Sequence, residues 1–209
     1  VSHNIGAVST LCTRAVHMSQ GKIVKEGAVP LVIEDYISAN QGELQGERTW
    51  QPRELGSERI ELRAMRVFNK DKLTADIDIA SDTHIEIEYC VKQPGSAWFG
   101  AIHIFDSLGA GVLATANFPS TNAEVDEWVG KTMQTGVYRT VCTIPANTLN
   151  DIRYRVTAIL LNENLQIEVR ADHVLAITGH DSGEMRKEFT GNWLGVVRPK
   201  LPWKTEKLE

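Results

Sequence analysis

From Ser57 onward, apolar and polar residues alternate with a period of two, and no other feature limits the fold as tightly. Ile60, Leu62 and Ala64 alternate with Glu61 and Arg63, and Ile77 and Ile79 with Asp76 and Asp78. Ile85, Ile87, Tyr89 and Val91 alternate with His84, Glu86, Glu88 and Cys90; Ile152, Tyr154, Val156, Ala158 and Leu160 alternate with Arg153, Arg155 and Thr157. Successive side chains of a strand point to opposite faces, so each run predicts a strand with one face on a core and one in water. Further strands are expected at Trp98–Asp106, 111–118, Gly136–Ile144, 166–170 and 173–178. Turn signals separate them: Asn69-Lys70-Asp71, Gln93-Pro94-Gly95, Ser107-Leu108-Gly109 and Asn162-Glu163-Asn164. Many short strands without a long helix predict an all-β fold, an Ig-like antiparallel β-sandwich over roughly 57–178. A jelly roll or closed barrel is the structural alternative.

The first 41 residues follow another rule. Ile5, Val8, Leu11 and Cys12 recur at spacings of three and four, which is helical. Ala15 to Met18 and Gly21 to Val24 read as a hairpin. Val29, Val32, Ile33 and Tyr36 mark one face of a second short helix, with Pro30 tolerated in its first turn. Residues 42–56 carry Gly, Gln, Glu, Arg and Pro with few apolar side chains, as a linker does. The expected organisation is an α/β segment over 1–41, a linker over 42–56, and the sandwich with a tail over 57–209.

Composition excludes several classes. Hydrophobic residues make up 42% and charged residues 23% of 209, which excludes disorder as the dominant state. A net charge of −5 argues against a general nucleic-acid binder, which needs a basic field over phosphates. No stretch approaches the length of a membrane span. Cys12, Cys90 and Cys142 are odd in number and far apart, so neither a disulfide framework nor a zinc site is expected. Reduced thiols fit a cytoplasmic protein. The histidines have no metal-ligand spacing, and no cofactor is implied.

Two stretches resemble parts of known transporters. Val1-Ser2-His3-Asn4, then Leu11-Cys12-Thr13-Arg14-Ala15, Gly21-Lys22-Ile23-Val24 and Gly27, look like the region of an ABC-transporter ATPase that begins at its switch histidine. The resemblance makes His3 the residue that contacts the ATP γ-phosphate in the parent ATPase. The chain lacks a phosphate loop, a signature motif and a Walker B acidic pair, so His3 is expected to be idle and the chain to have no enzymatic activity. On this reading the chain is a piece of a longer ATPase.

The second part resembles the C-terminal domain of Wzt-type proteins, the ATP-binding subunits of ABC exporters for lipopolysaccharide O-antigen. The resemblance rests on Gly100 to Asp106 with Gly109, and on Gly136-Val137-Tyr138 through Cys142-Thr143-Ile144-Pro145 with Leu149 and Tyr154. The tail from Gly191 to Pro199 and Trp203 also fits. It implies a β-sandwich that recognises, without catalysis, the terminus of a finished polysaccharide on its lipid carrier. It also implies a cytoplasmic homodimer held at the inner membrane through a membrane-spanning exporter subunit. A structural dimerisation module without glycan contact is the alternative.

Parity then nominates residues. Ile102 and Ile104 point to the core, so His103 points outward with Phe99, Ala101 and Phe105. Ile87 and Tyr89 point inward, which turns Glu88 out; Tyr154 and Val156 do the same for Arg155. Arg139 is a further outward candidate, although the inward choice between Val137 and Tyr138 is open. If these strands share a sheet, His103, Glu88, Arg155 and Arg139 converge as a sugar-binding surface. Trp128, in the polar stretch 119–131, is the loop candidate. Trp98 is expected in the core, and Trp193 and Trp203 as anchors of the tail. The pairs Asp76/Asp78 and Glu86/Glu88 have the spacing of glycosidase carboxylates, but alternation with isoleucine is what any solvated strand face shows.

Overall fold

A computed structural model of the protein describes residues 8, 11–19, 21–39, 46–124, 126–183, 185–191 and 193–208. His3 lies outside the described residues. The N-terminal segment contains an antiparallel hairpin of β1 (Arg14–Ser19) and β2 (Lys22–Ala28), followed by α1 (Val29–Ala39). Gly21 turns the hairpin at φ +76°, a conformation that costs glycine little. Pro30 falls in the first turn of α1, where the N–H it lacks has no intrahelical acceptor. Val29 and Ile33 form a small core with Val8 and Ala15. Beside it, His17 Nδ1 lies 3.1 Å from one oxygen of Asp35, and Lys25 Nζ lies 3.4 Å from the other.

Ten strands follow: β3 (Glu47–Thr49), β4 (Ile60–Asn69), β5 (Lys72–Leu73), β6 (Asp76–Asp78), β7 (Thr83–Val91), β8 (Trp98–Asp106), β9 (Gly111–Ala116), β10 (Gly136–Ile144), β11 (Arg153–Asn162) and β12 (Ile167–His180). They make two five-stranded sheets. The first runs β10-β7-β4-β3 with β5 also on β4; the second runs β6-β12-β11-β8-β9. All pairings are antiparallel except β6 beside β12. Between the sheets lies one core that includes Ile60, Leu62, Ile85, Ile87, Trp98, Ile102, Ile104, Tyr154 and Val156. The fold is the expected β-sandwich.

Three local features differ from the sequence reading, each for a physical reason. The stretch read as linker contributes β3, which pairs with Ala64 to Arg66, and Trp50, which joins the core. Its few apolar residues hid it, because an edge strand of three residues needs only backbone partners and one anchor. In β4 the register shifts between Leu62 and Ala64, so Met65 and Val67 take over the inward face. Finally, 166–170 and 173–178 belong to a single strand, β12. Its bulge opposes Asp172, His173 and Val174 to Thr157 of β11. The polar Asp172-His173 pair breaks the alternation, while the bulge keeps both halves in one sheet.

The tail docks on its own sandwich. Tyr154 donates its hydroxyl to the carbonyl of Val196 at 2.7 Å, and Asn150 Nδ2 donates to the carbonyls of Gly195 at 2.7 Å and Trp193 at 3.3 Å. Leu149 and Val197 form a β-bridge. Burial, the dominant cause, pushes the Tyr154 phenol up to about 12. Trp193 stacks edge-on with Phe189 at 5.2 Å, but Trp203 is 92% exposed and anchors nothing. Past Pro199 the tail pairs with no strand, so Trp203 has no surface to meet.

Candidate functional site

The sequence places each nominated side chain on the correct face, yet the topology separates them. Glu88 and Arg139 lie directly opposite one another on β7 and β10 of the first sheet. His103 and Arg155 lie on β8 and β11 of the second. Outward faces of a sandwich point away from each other, so the four side chains form two surfaces rather than one. Alternation fixes a residue's face but carries no information on which sheet its strand joins.

On the first sheet, Arg66 of β4 gathers the acidic side chains. Its Nη1 reaches Glu86 Oε1 and Glu88 Oε2, both at 2.7 Å, and its Nε reaches Glu47 Oε1 at 2.6 Å. Glu88 first, with Glu47 and Glu86 after the opposing burial, drives the Arg66 pKa upward. The carboxylates Glu86 and Glu88 thus flank a guanidinium instead of a vacant bond-sized space. The other pair is also engaged: Asp78 with Lys70 at 2.6 Å, and Asp76 with His180 at 3.1 Å. Among the described residues no three His, Cys, Asp or Glu side chains group as metal ligands.

Tyr138 settles the parity of β10. It stacks on Tyr89 with centroids 6.0 Å apart and rings at 17°, so it faces inward and Val137, Arg139 and Val141 face out. Trp128 meets the free side of Tyr138 edge-on at 5.5 Å, and Lys131 Nζ lies 5.8 Å from its ring centre.

A cleft of about 750 Å³ opens between β9 and β10, the terminal strands of the two sheets. Ile85, Ile87, Ile102 and Leu113 give it an apolar floor. Gly100 is part of that floor because a Cβ there would stand 2.5 Å from Thr140 Cγ2 across the gap. The rim is polar: Asn117, Thr121, Asn122, Glu124 and Asp126 from the loop after β9, and Arg139, Thr140 and Thr143 from β10. The loop is held in place by Asn117, whose Oδ1 accepts from Gly100 N at 3.1 Å and whose Nδ2 donates to Asp126 Oδ2 at 2.9 Å. Asp126 Oδ1 in turn accepts from the backbone N of Trp128 at 2.9 Å, placing the tryptophan next to the cleft. Arg139 Nη1 lies 3.4 Å from Glu86. An apolar floor with convergent hydroxyl, amide and charged groups suits a ligand with C–H faces and many hydroxyls. Of the nominated residues, the cleft contains Arg139 and adjoins Trp128. The rim residues of 117–126 were missed, although their polar run between two strands was the available signal.

On the second sheet, Phe99 is covered by Phe118 at 5.1 Å, and His103 and Phe105 further along are half-buried. Phe105 meets both His103 at 6.3 Å and His173 at 4.9 Å. His173 stands at the β12 bulge with φ +52°, and its N–H donates to Thr157 Oγ1 at 3.0 Å. Burial first, then the charge of Arg170, lowers the His103 pKa. Burial and then Arg153 lower that of Arg155, against Tyr36 of α1 and Asp106.

Two packed sheets with a cleft at one open edge define a β-sandwich. One solved structure of that kind is titled the C-terminal domain of Wzt; this chain superposes on it with a TM-score of 0.58 at 12% identity, covering 76% of this chain and 93% of that one. No family model matches the sequence, and no curated protein does. At this identity the likeness is one of fold. Among the described residues no helix is long and apolar enough to cross a membrane.

Proposed function

We propose that the sandwich recognises, without catalysis, the terminus of a lipid-linked O-antigen-type polysaccharide for an ABC exporter. The observation that carries this reading is the cleft between β9 and β10, with its apolar floor and its rim of amides, hydroxyls and Arg139. Sugar rings bury their C–H faces on such a floor while their hydroxyls exchange bonds with the rim. Trp128, exposed beside the opening, extends the platform. The fold likeness to a Wzt C-terminal domain supports the exporter setting. The membrane-spanning exporter subunit and a cytoplasmic position at the inner membrane belong to the same proposal, as does His3 as a former γ-phosphate contact.

The test is calorimetric titration of the chain with polysaccharide purified from its source organism. Asn122→Ala and Arg139→Ala are each expected to weaken binding on the order of 10-fold, the loss of one hydrogen bond in a desolvated site. Full binding by both folded variants would move the site out of the cleft.

A second reading has its own observation. β10 is an edge strand whose outward Val137 is 63% exposed and Val141 49% exposed. Such an edge invites another strand, and a homodimerisation module would use it. Light scattering that gives a dimer, abolished by Val137→Lys with glycan binding unchanged, would assign the edge to assembly and leave the cleft to the glycan.

A further inference from the structure

Arg155 is a buried cation with no ion-paired carboxylate among the described residues. The residue is 7% exposed, near the start of β11. Its Nη2 reaches the carbonyl of Ser107 at 3.4 Å, a long contact, and its Nε has no partner. No carboxylate among the described residues forms an ion pair with it, whereas buried Arg198 has Asp181 at 2.5 Å. Removing a guanidinium from water without a counter-charge is among the costliest arrangements a fold can hold. A cost of this kind, concentrated at one residue, marks a candidate functional site.

The surroundings specify what that is. Phe105 lies directly opposite Arg155 on β8 and presents an aromatic surface. The β12 bulge swings His173 against Phe105, and Arg155 lies close enough to lower the His173 pKa, second to desolvation. His103 also meets Phe105 edge-on, at 6.3 Å. Each neutral imidazole offers one N–H donor. The nearby carboxylates are already engaged: Asp172 with Arg170 at 2.8 Å, and Asp106 Oδ1 with the N–H groups of Leu108 and Ala110. On a chain of net charge −5, this face brings a buried cation together with two imidazoles.

We infer that Arg155, His103 and His173 form an oxyanion-binding site on the outer face of the second sheet, for a phosphate ester or carboxylate whose attached ring rests on Phe105. A guanidinium supplies paired, planar donors that match such an anion, and the imidazoles add donors from the sides. The site is separate from the cleft, which lies at the β9–β10 edge and is lined by Arg139 rather than Arg155.

The test uses the full chain, labelled with ¹⁵N, titrated separately with dimethyl phosphate, methyl phosphate and acetate at millimolar concentrations. A neutral methyl glucoside is the control. The Arg155 Nε–Hε and His173 ring signals are expected to move with an anion and not with the glucoside, and the tighter of the esters or acetate names the source. Arg155→Gln is expected to weaken anion binding about 10-fold or more, while Arg139→Gln leaves it unchanged. Arg155→Met, which removes the buried charge, is expected to melt at or above the parent without anion and to lose the anion-dependent rise in melting temperature. Should that variant not fold, the parent titration and His173→Ala still decide. The inference is overturned if no anion moves the Arg155 signal, or if the Arg155 variants are stabilised by anion as much as the parent. Neither result depends on whether the cleft binds sugar.

Discussion

The N-terminal segment and the sandwich obey the same rules of apolar patterning, yet the cores they close differ greatly in size. The hairpin and α1 bury Val29 and Ile33 against Val8 and Ala15, while Val16, Met18, Ile23, Val24 and Leu31 stay exposed. The sandwich buries continuous inward faces of both sheets, with Ile60, Ile85, Ile104, Tyr154 and Ile177 fully enclosed. Local pattern alone therefore does not make a stable unit. A face must find a second face of matching size, and two sheets supply that where one hairpin and one short helix do not.

The largest expected effect is a core truncation that separates the two regions. Trp98→Ala or Ile104→Ala should cost the sandwich about 2–5 kcal/mol by cavity formation, read as a lower denaturant midpoint. Ile33→Ala in α1 should leave that sandwich transition in place. If Ile33→Ala shifts it as much as Ile104→Ala does, the two regions are one cooperative unit and the contrast fails.

Tyr154→Phe tests whether the tail belongs to the sandwich. It removes the hydroxyl that serves both Asn150 and Val196, leaving buried partners unpaired at a cost of about 1–3 kcal/mol. Hydrogen exchange of Val197 and Arg198 should rise with little change in the strands.

Acid sharpens the contrast through Asp181. Burial would raise its pKa, but the backbone N–H groups of Gly183 and Met185 and the Arg198 guanidinium outweigh it and hold the carboxyl below its ordinary value. A carboxyl with a depressed folded pKa contributes stability above its unfolded pKa, and that contribution disappears as pH falls through the folded value. Stability of the sandwich should therefore decline below about pH 4, with a smaller decline in Asp181→Asn. Denaturant midpoints measured from neutral pH down to pH 3 check this, since equal slopes for parent and variant would remove Asp181 from the account.

Arg139→Ala should be the mildest. Its guanidinium is solvent-exposed and meets Glu86 at 3.4 Å, so the stability change should stay under about 0.5 kcal/mol. A larger loss would mean that β10 is held by its outward face and not by Tyr138 on Tyr89.

Much of the fold was legible because burial is written at period two. Ile85 to Val91, Ile102 to Ile104 and Tyr154 to Leu160 show their inward and outward sides directly, and the outward turn of Glu88, His103 and Arg155 follows from them. Two short departures were not legible. β3 has too few residues for a pattern, and the bulge at Asp172–Val174 looks in sequence like the end of a strand. The candidate sites were legible only in part. Arg139 and Trp128 were in view, but Asn117 to Asp126 gained importance only when the loop folded over the cleft.

The sequence by itself determined that the chain is a β-sandwich and which way most strand side chains point, since these depend on neighbours one and two residues away. Tertiary structure alone decided which strands share a sheet, because pairing partners such as Thr157 and His103 lie far apart along the chain. It put Glu88 with Arg66 and left Arg155 without an ion-paired carboxylate among the described residues. It also opened the cleft where β9 and β10 fail to pair. Charge neutralisation and concavity are properties of side chains brought together in space, and alternation along one strand carries no record of them.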